Sequence, residues 1–253
     1  MLKLKEIHKS FGEDSPNRKV IFEEFNLDIK RGEFVTVIGG NGCGKSTLMN
    51  LISGSVFPKK GRIFIDGKDV TYMPEHERAK MIGRVFQDPL RGTAPNLTVE
   101  ENLSLAFLKG EKKGLKFSIN KNRREILKEK LKSLNLGLEN RLDAKMGLLS
   151  GGQRQAITLL MATLKKPKIL LLDEHTAALD PKSSEKILEI TERIASDPEI
   201  TTLMITHNIR DSLKIGTRTI MLNLGKVVID LNGEYRKIMS SEKLQKLFDD
   251  INY

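Results

Sequence analysis

The sequence predicts an α/β fold with a mainly parallel sheet core, an antiparallel β layer at the N-terminus and an inserted α-helical segment. Three observations predict it. Phe34–Ile38 is an apolar, β-branched run ending in two glycines, as a buried strand entering a loop does. Lys168–Glu174 (KILLLDE) is a near-continuous apolar run of the kind buried on both faces of a parallel sheet. Between them, from Leu97 to about Leu149, Leu, Lys and Glu recur at helical spacing without β-branched runs.

The remaining elements follow in order. Residues 2–8 and 20–29 alternate apolar with polar side chains, which predicts strands of a layer with one solvated face. Lys45–Gly54 reads as a helix stopped by Gly54. Gly61–Val70 reads as two short strands turned by Asp66-Gly67. Ile82–Phe86 is a strand that ends at Gln87-Asp88-Pro89, and Ile126, Leu127, Leu131 and Leu134 carry the helical period of the insertion. After the second buried strand come a helix (183–196), a strand (201–206), a helix (209–215) and a hairpin (217–230). The charged segment 231–253 has a helical pattern and is too short for a further domain.

Composition narrows the function. Of 253 residues, 39% are hydrophobic and 30% charged, which suits a soluble chain with a sizeable core. No apolar run approaches the roughly 18–20 residues that span a bilayer, and the N-terminus lacks a signal-peptide core, so a cytoplasmic location is expected. The single cysteine, Cys43, excludes an internal disulfide and a cysteine-based zinc cluster. It sits in a glycine-rich loop and reads as a small residue tolerated there, although its oxidation would block a ligand. The net charge of +10 raises the question of nucleic acid. The densest basic run, Lys109–Arg124, holds one aromatic, Phe117, so base stacking is poorly supported and no nucleic-acid partner is expected. It reads as a solvated loop or a segment near an anionic membrane face.

Two motifs carry the chemistry. Gly39-Gly40-Asn41-Gly42-Cys43-Gly44-Lys45-Ser46 matches G-x-x-x-x-G-K-[ST] in full, with a buried strand before it and a helix after it. The glycines let backbone N–H groups turn onto phosphate oxygens, and the helix start adds partial positive charge. Lys45 is expected to reach the β- and γ-phosphates, Ser46 to ligate Mg²⁺, and Thr47 to bond a further phosphate oxygen. Asp173 and Glu174 end a parallel strand, at the sheet edge where ligands bind. There Asp173 is placed for the Mg²⁺ shell and Glu174 for general-base work on water. A second phosphate-facing element, Ser150-Gly151-Gly152-Gln153, opens a helix about a hundred residues after the first.

Together these motifs resemble the nucleotide-binding subunit of an ATP-binding cassette (ABC) transporter, a P-loop NTPase fold, over residues 1–230. The resemblance places a helical signature subdomain at about 88–156 and leaves 231–253 as a helical tail. It implies a head-to-tail dimer, with itself or a paralogous subunit. In it Ser150, Gly151, Gly152 and Gln153 of one chain cap ATP held by the other. It further implies that Phe11 stacks on adenine and that Gln87 touches Mg²⁺ and the attacking water. The resemblance likewise implies that Asp180 crosses the dimer interface and that His207 contacts the γ-phosphate. ATP hydrolysis would then drive transmembrane permease subunits on the inner face of the membrane, supplied by an extracytoplasmic substrate-binding protein.

Two positions depart from the family pattern. Cys43 stands where many relatives have Ser, and His175 where most have Pro. An imidazole directly after Glu174 is expected to tune it by changing charge near neutral pH. The segments SGSVFPKKGRIFIDG, DPLRGTAPNLTVEENL and DEHTAALD resemble a bacterial importer subfamily linked to amino-acid uptake, including aromatic amino acids. An exporter ATPase, or a single-cassette ATPase of cofactor assembly, is the alternative that the motifs leave open.

Overall fold

A computed structural model describes residues 1–13, 16–109 and 121–252. The strands are β1 (Leu2–Phe11), β2 (Lys19–Ile29), β3 (Phe34–Gly39), β4 (Lys60–Ile65), β5 (Lys68–Asp69), β6 (Ile82–Val85), β7 (Ile169–Asp173), β8 (Thr201–Ile205), β9 (Arg218–Asn223) and β10 (Lys226–Asn232). The helices are α1 (Lys45–Ser53), α2 (Glu75–Arg78), α3 (Val99–Phe107), α4 (Lys121–Lys132), α5 (Gly151–Thr163), α6 (Pro181–Ala195), α7 (Ile209–Lys214), α8 (Gly233–Lys237) and α9 (Ser241–Asn252).

A six-stranded sheet in the order β10-β9-β3-β8-β7-β6 forms the centre. The strands from β9 to β6 run parallel, and β10 pairs antiparallel with β9. Alternation along β7 shows why its sequence is apolar throughout. Ile169 and Leu171 join one buried cluster with Leu48 and Ile52 of α1, whereas Leu170 and Leu172 join another with Ile157 of α5 and Ile187 of α6. The second sheet, β2-β1-β4-β5, is antiparallel and lays Leu2, Ile7, Phe22 and Ile63 on the α1 side. Its loose alternation has a local cause: Glu6 and Glu24 have φ of 49° and 53°, and the β1–β2 register shifts around them. Asp66 and Gly67, both at positive φ, close the β4–β5 turn.

The structure moves two expected boundaries and packs the tail against the sheet. The helix that opens at Gly151 runs through residue 156 to Thr163, because Ile157, Leu159 and Leu160 are all buried. The last strand continues past 230 to Asn232, which pairs with Arg218. The segment after it is packed rather than appended: Leu244 of α9 is fully buried with Ile38, Ile209 and Met221. Between β6 and β7, α3, α4 and α5 share a core of leucines, and Arg124 on α4 is paired with both Glu100 of α3 and Asp143. Most of the basic run, residues 110–120, lies outside the described residues.

Candidate functional site

Four strands deliver their carboxyl ends to one edge of the sheet. Ile205 on β8 stands level with Val37 on β3 and with Asp173 on β7, and Val85 on β6 stands level with Leu172. The residues that follow these ends are Gly40–Gly44, Glu174, Thr206-His207 and Phe86-Gln87. The register itself therefore collects the expected site.

The loop after β3 depends on its glycines. Gly39, Gly42 and Gly44 have φ of 156°, 77° and 113°. A Cβ on Gly39 would lie 2.4 Å from the Leu222 carbonyl oxygen, and one on Gly44 would lie 2.8 Å from the Phe22 ring. A Cβ on Gly42 would instead point into the cleft, 3.3 Å from Lys19 Nζ. Buried Lys45 donates from Nζ to the carbonyl oxygens of Gly39 and Gly40, at 2.8 and 2.9 Å. The first N–H groups of α1 have no intrahelical acceptor, which leaves them for an anion. Lys19, Ile21, Asn41, Gly42, Ser46, Thr47, Glu174 and His207 line a cleft of about 180 Å³ with Lys45.

A larger groove, about 870 Å³, shares Ser46 and Glu174 with that cleft and adds Gln87 and Asp173. Ser46, Gln87 and Asp173 thus face one space with hard oxygen donors, the set that suits Mg²⁺ held jointly with substrate phosphates. Among the described residues no cluster of three or more His, Cys, Asp or Glu forms a self-sufficient metal cage. Arg84, from β6, lies 3.4 Å from Asp173 and donates to Asn50 Oδ1 at 2.9 Å, with its guanidinium over the Phe86 ring.

Glu174 and His207 meet directly. His207 Nε2 is 2.5 Å from Glu174 Oε1; the carboxylate side chain is 15% exposed and the imidazole 47%. Glu174 holds φ at 48°, a strained value for a non-glycine residue, and its N–H donates to the Ile205 carbonyl oxygen at 3.1 Å.

Other expected residues sit apart. Ser150 and Gln153 form a capping box: Gln153 N–H donates to Ser150 Oγ, and Ser150 N–H to Gln153 Oε1, both at 3.2 Å. Ser150, Gly152 and Gln153 line a different groove, against Lys182, Ser183 and Lys186 of α6, which shares no residue with the Lys45 cleft. Gly151, exposed, starts the same helix. Asp180 caps α6, accepting from Ser183 N–H at 3.0 Å. Phe11 is 43% exposed at the end of β1, opposite Lys19, with Lys9 Nζ 4.8 Å from its ring centre.

One expectation changes. His175 does not face the cleft as a titrating neighbour of Glu174. It is buried, its Nε2 lies 2.9 Å from Thr191 Oγ1 on α6, and burial pushes the imidazole down to about 4. It is neutral across the pH range proposed for tuning. Cys43 is buried within the loop, and burial pushes its thiol above the ordinary cysteine value. Sequence reasoning also missed Lys19, Ile21, Asn50 and Arg84. Lys19 and Ile21 reach the cleft only because β2 packs beside the glycine loop, next to Gly42 and Gly44, and Arg84 only through the β6–β7 register.

Residues 22–177 match the family described as ABC transporter. The chain is 45% identical over 249 residues to a tyrosine transport ATP-binding protein of Clostridioides difficile (strain R20291), covering 98% of this chain and 99% of that one. It is 35% identical to a glycine betaine/carnitine/choline transport ATP-binding protein of Bacillus subtilis (strain 168), covering 90% of this chain and 57% of the relative. Among solved structures it is similar to a dimeric post-hydrolysis ATP-binding cassette bound to ADP and Pi, with a TM-score of 0.77 and 32% identity over 92% of this chain and 98% of that one. It is also similar to cbiO1 from Clostridium perfringens, described as part of an ABC transporter complex, with a TM-score of 0.79 and 26% identity over 98% of this chain and 94% of that one. Among the described residues no helix is long and apolar enough to cross a membrane.

Proposed function

This chain belongs to the ABC transporter family, and from that premise we propose that it energises a permease importing an aromatic amino acid of the tyrosine type. Its reaction is hydrolysis of ATP with Mg²⁺. The observation that carries the site assignment is the cleft shared by Lys45, Ser46, Glu174 and His207, opening onto Gln87 and Asp173.

In this reading the glycine loop and Lys45 bind the phosphates, and Thr47 adds a hydroxyl. Phe11, paired with the cleft-lining Lys19, is the side chain we assign to stacking on adenine. Ser46, Gln87 and Asp173 hold Mg²⁺, which when bound neutralises phosphate charge and aligns the γ-phosphoryl group. The Glu174 carboxylate accepts the proton of the attacking water. His207 holds a proton at Nε2, between Glu174 and the γ-phosphate oxygens. Ser150, Gly151, Gly152 and Gln153 serve a second copy or a paralogue, because their groove is separate from the Lys45 cleft of their own chain. Asp180, at the start of α6, lines the junction between the two. The groove around Gln87 receives the permease, whose solute comes from an extracytoplasmic binding protein.

The test is recovery of tagged chain from gently solubilised native membranes, with mass spectrometry of its partners, alongside uptake of labelled tyrosine. A stoichiometric polytopic protein, and uptake abolished by Glu174→Gln, are expected. Recovery with soluble partners alone would remove the transport assignment. Unchanged tyrosine uptake with a bound permease would remove the substrate.

A further inference from the structure

We propose that Arg236 is a positioning residue for His207, acting by holding the far end of α7, the short helix that starts just beyond that histidine. The proposal rests on the reading of His207 as a γ-phosphate contact.

Arg236 lies on α8, outside every motif considered above. Its Nη2 donates to the carbonyl oxygens of Ser212, Leu213 and Ile215, at 3.2, 3.0 and 2.5 Å, and its Nε donates to Thr219 Oγ1 at 3.2 Å. The last carbonyls of a helix lack intrahelical donors and carry its negative dipole end, so a guanidinium satisfies them doubly. The Ser212 carbonyl also accepts from the hydroxyls of Thr36 and Thr219, each at 2.8 Å. Thr36 is on β3, three residues before Gly39, so one carbonyl ties the end of α7 to the strand that feeds the glycine loop.

The near end of α7 is fixed as well. Asn208 Oδ1 accepts from Asp211 N–H at 3.2 Å, and Asn208 N–H donates to Thr206 Oγ1 at 3.0 Å. His207 stands between these two anchors. At six residues α7 is too short to persist on its own, so its orientation comes from its contacts. Besides Arg236 these include Leu244 of α9, buried with Ile209. Helix α1 repeats the arrangement. It begins with Lys45, and buried Arg78 donates from Nη1 to the carbonyl oxygens of Leu51 and Ile52 near its end, at 2.6 and 2.9 Å. Two helices that begin at the cleft are thus each held at the other end by a guanidinium brought from elsewhere in the chain.

The test is a double-mutant cycle of Arg236→Ala with His207→Ala, read as kcat and KM for ATP, with folding checked by circular dichroism. Arg236→Ala is expected to lower kcat by about ten-fold or more with KM within about two-fold, and to add nothing once His207 is alanine. Arg236→Lys, which keeps a cation but loses the fork, covers the case of a poorly folded alanine variant. It is expected to lose less, and again nothing in the His207→Ala background. An equal fold-loss from either Arg236 substitution with and without His207, or an unchanged kcat, would overturn the positioning role. Wild-type kcat in His207→Ala alone would instead remove the reading of His207, and the proposal with it.

Discussion

His207 Nε2 lies 2.5 Å from Glu174 Oε1, so the residues that follow β8 and β7 are joined by a direct side-chain contact. The pair joins the two functions proposed for the edge of the sheet, water activation and γ-phosphate contact. Its geometry is held by backbone: Glu174 N–H bonds Ile205, the last residue of β8.

Replacing Glu174 with Gln keeps the shape and the acceptor oxygen but removes the base. Hydrolysis is expected to fall by about 10²-fold or more while ATP binding persists. An ATP-bound dimer should then accumulate and be visible by light scattering. A Glu174→Gln chain with ordinary turnover would show that another group takes the proton.

His175 affects stability rather than turnover. Its imidazole is held neutral at about 4, against 6.5 in an open chain. Between those values the unfolded chain binds the extra proton, so stability rises with pH through that window and is full above about 6.5. Over the whole window the effect is on the order of 3 kcal/mol. Urea unfolding at pH 4.5 and 7.5 should show a smaller pH difference for His175→Gln than for the parent. The turnover profiles of the two chains between pH 6 and 8 should superimpose.

Cys43 is expected to react slowly with thiol reagents in the folded protein and rapidly in urea, because the buried thiol resists ionisation. Cys43→Ser should retain turnover within about two-fold, since the loop works through its backbone. Rapid modification of the folded chain would place the thiol in the cleft.

Arg78 is fully buried, donates to the carbonyl oxygens of Thr71, Met73, Leu51 and Ile52, and has its guanidinium pushed down to about 10 by burial. Arg78→Met strips four carbonyls of their donor and is expected to cost about 3 kcal/mol or more, measured by urea unfolding. A change under about 0.5 kcal/mol would mean that water replaces the guanidinium.

The sequence made the parallel core legible because its strands are continuous apolar runs, and the glycine loop legible because its spacing has no common alternative use. His207 and Gln87 were reached through resemblance, and the register then supplied a physical reason for their position. Less was readable where pairing is long-range. Lys19 enters the cleft because β2 packs beside the distant glycine loop at Gly42, and Arg84 because β6 pairs with β7. His175 was misread because adjacency to Glu174 in sequence says nothing about burial. The residue turns away from the cleft onto Thr191 of α6. The integration of α8 and α9 was hidden for a similar reason, since a charged helical pattern does not reveal that Leu244 closes a core over Ile38 and Ile209.

The central claim is that a complete ATP site needs two chains, and complementation tests it most directly. Chains carrying Lys45→Ala and chains carrying Ser150→Arg should each be inactive alone. Mixed in equal amounts, they should regain roughly a quarter of wild-type turnover, because half the pairs are mixed and each mixed pair keeps one site with both elements intact. If the mixture stays as inactive as its parents while light scattering shows that pairs form with ATP, the composite site is contradicted.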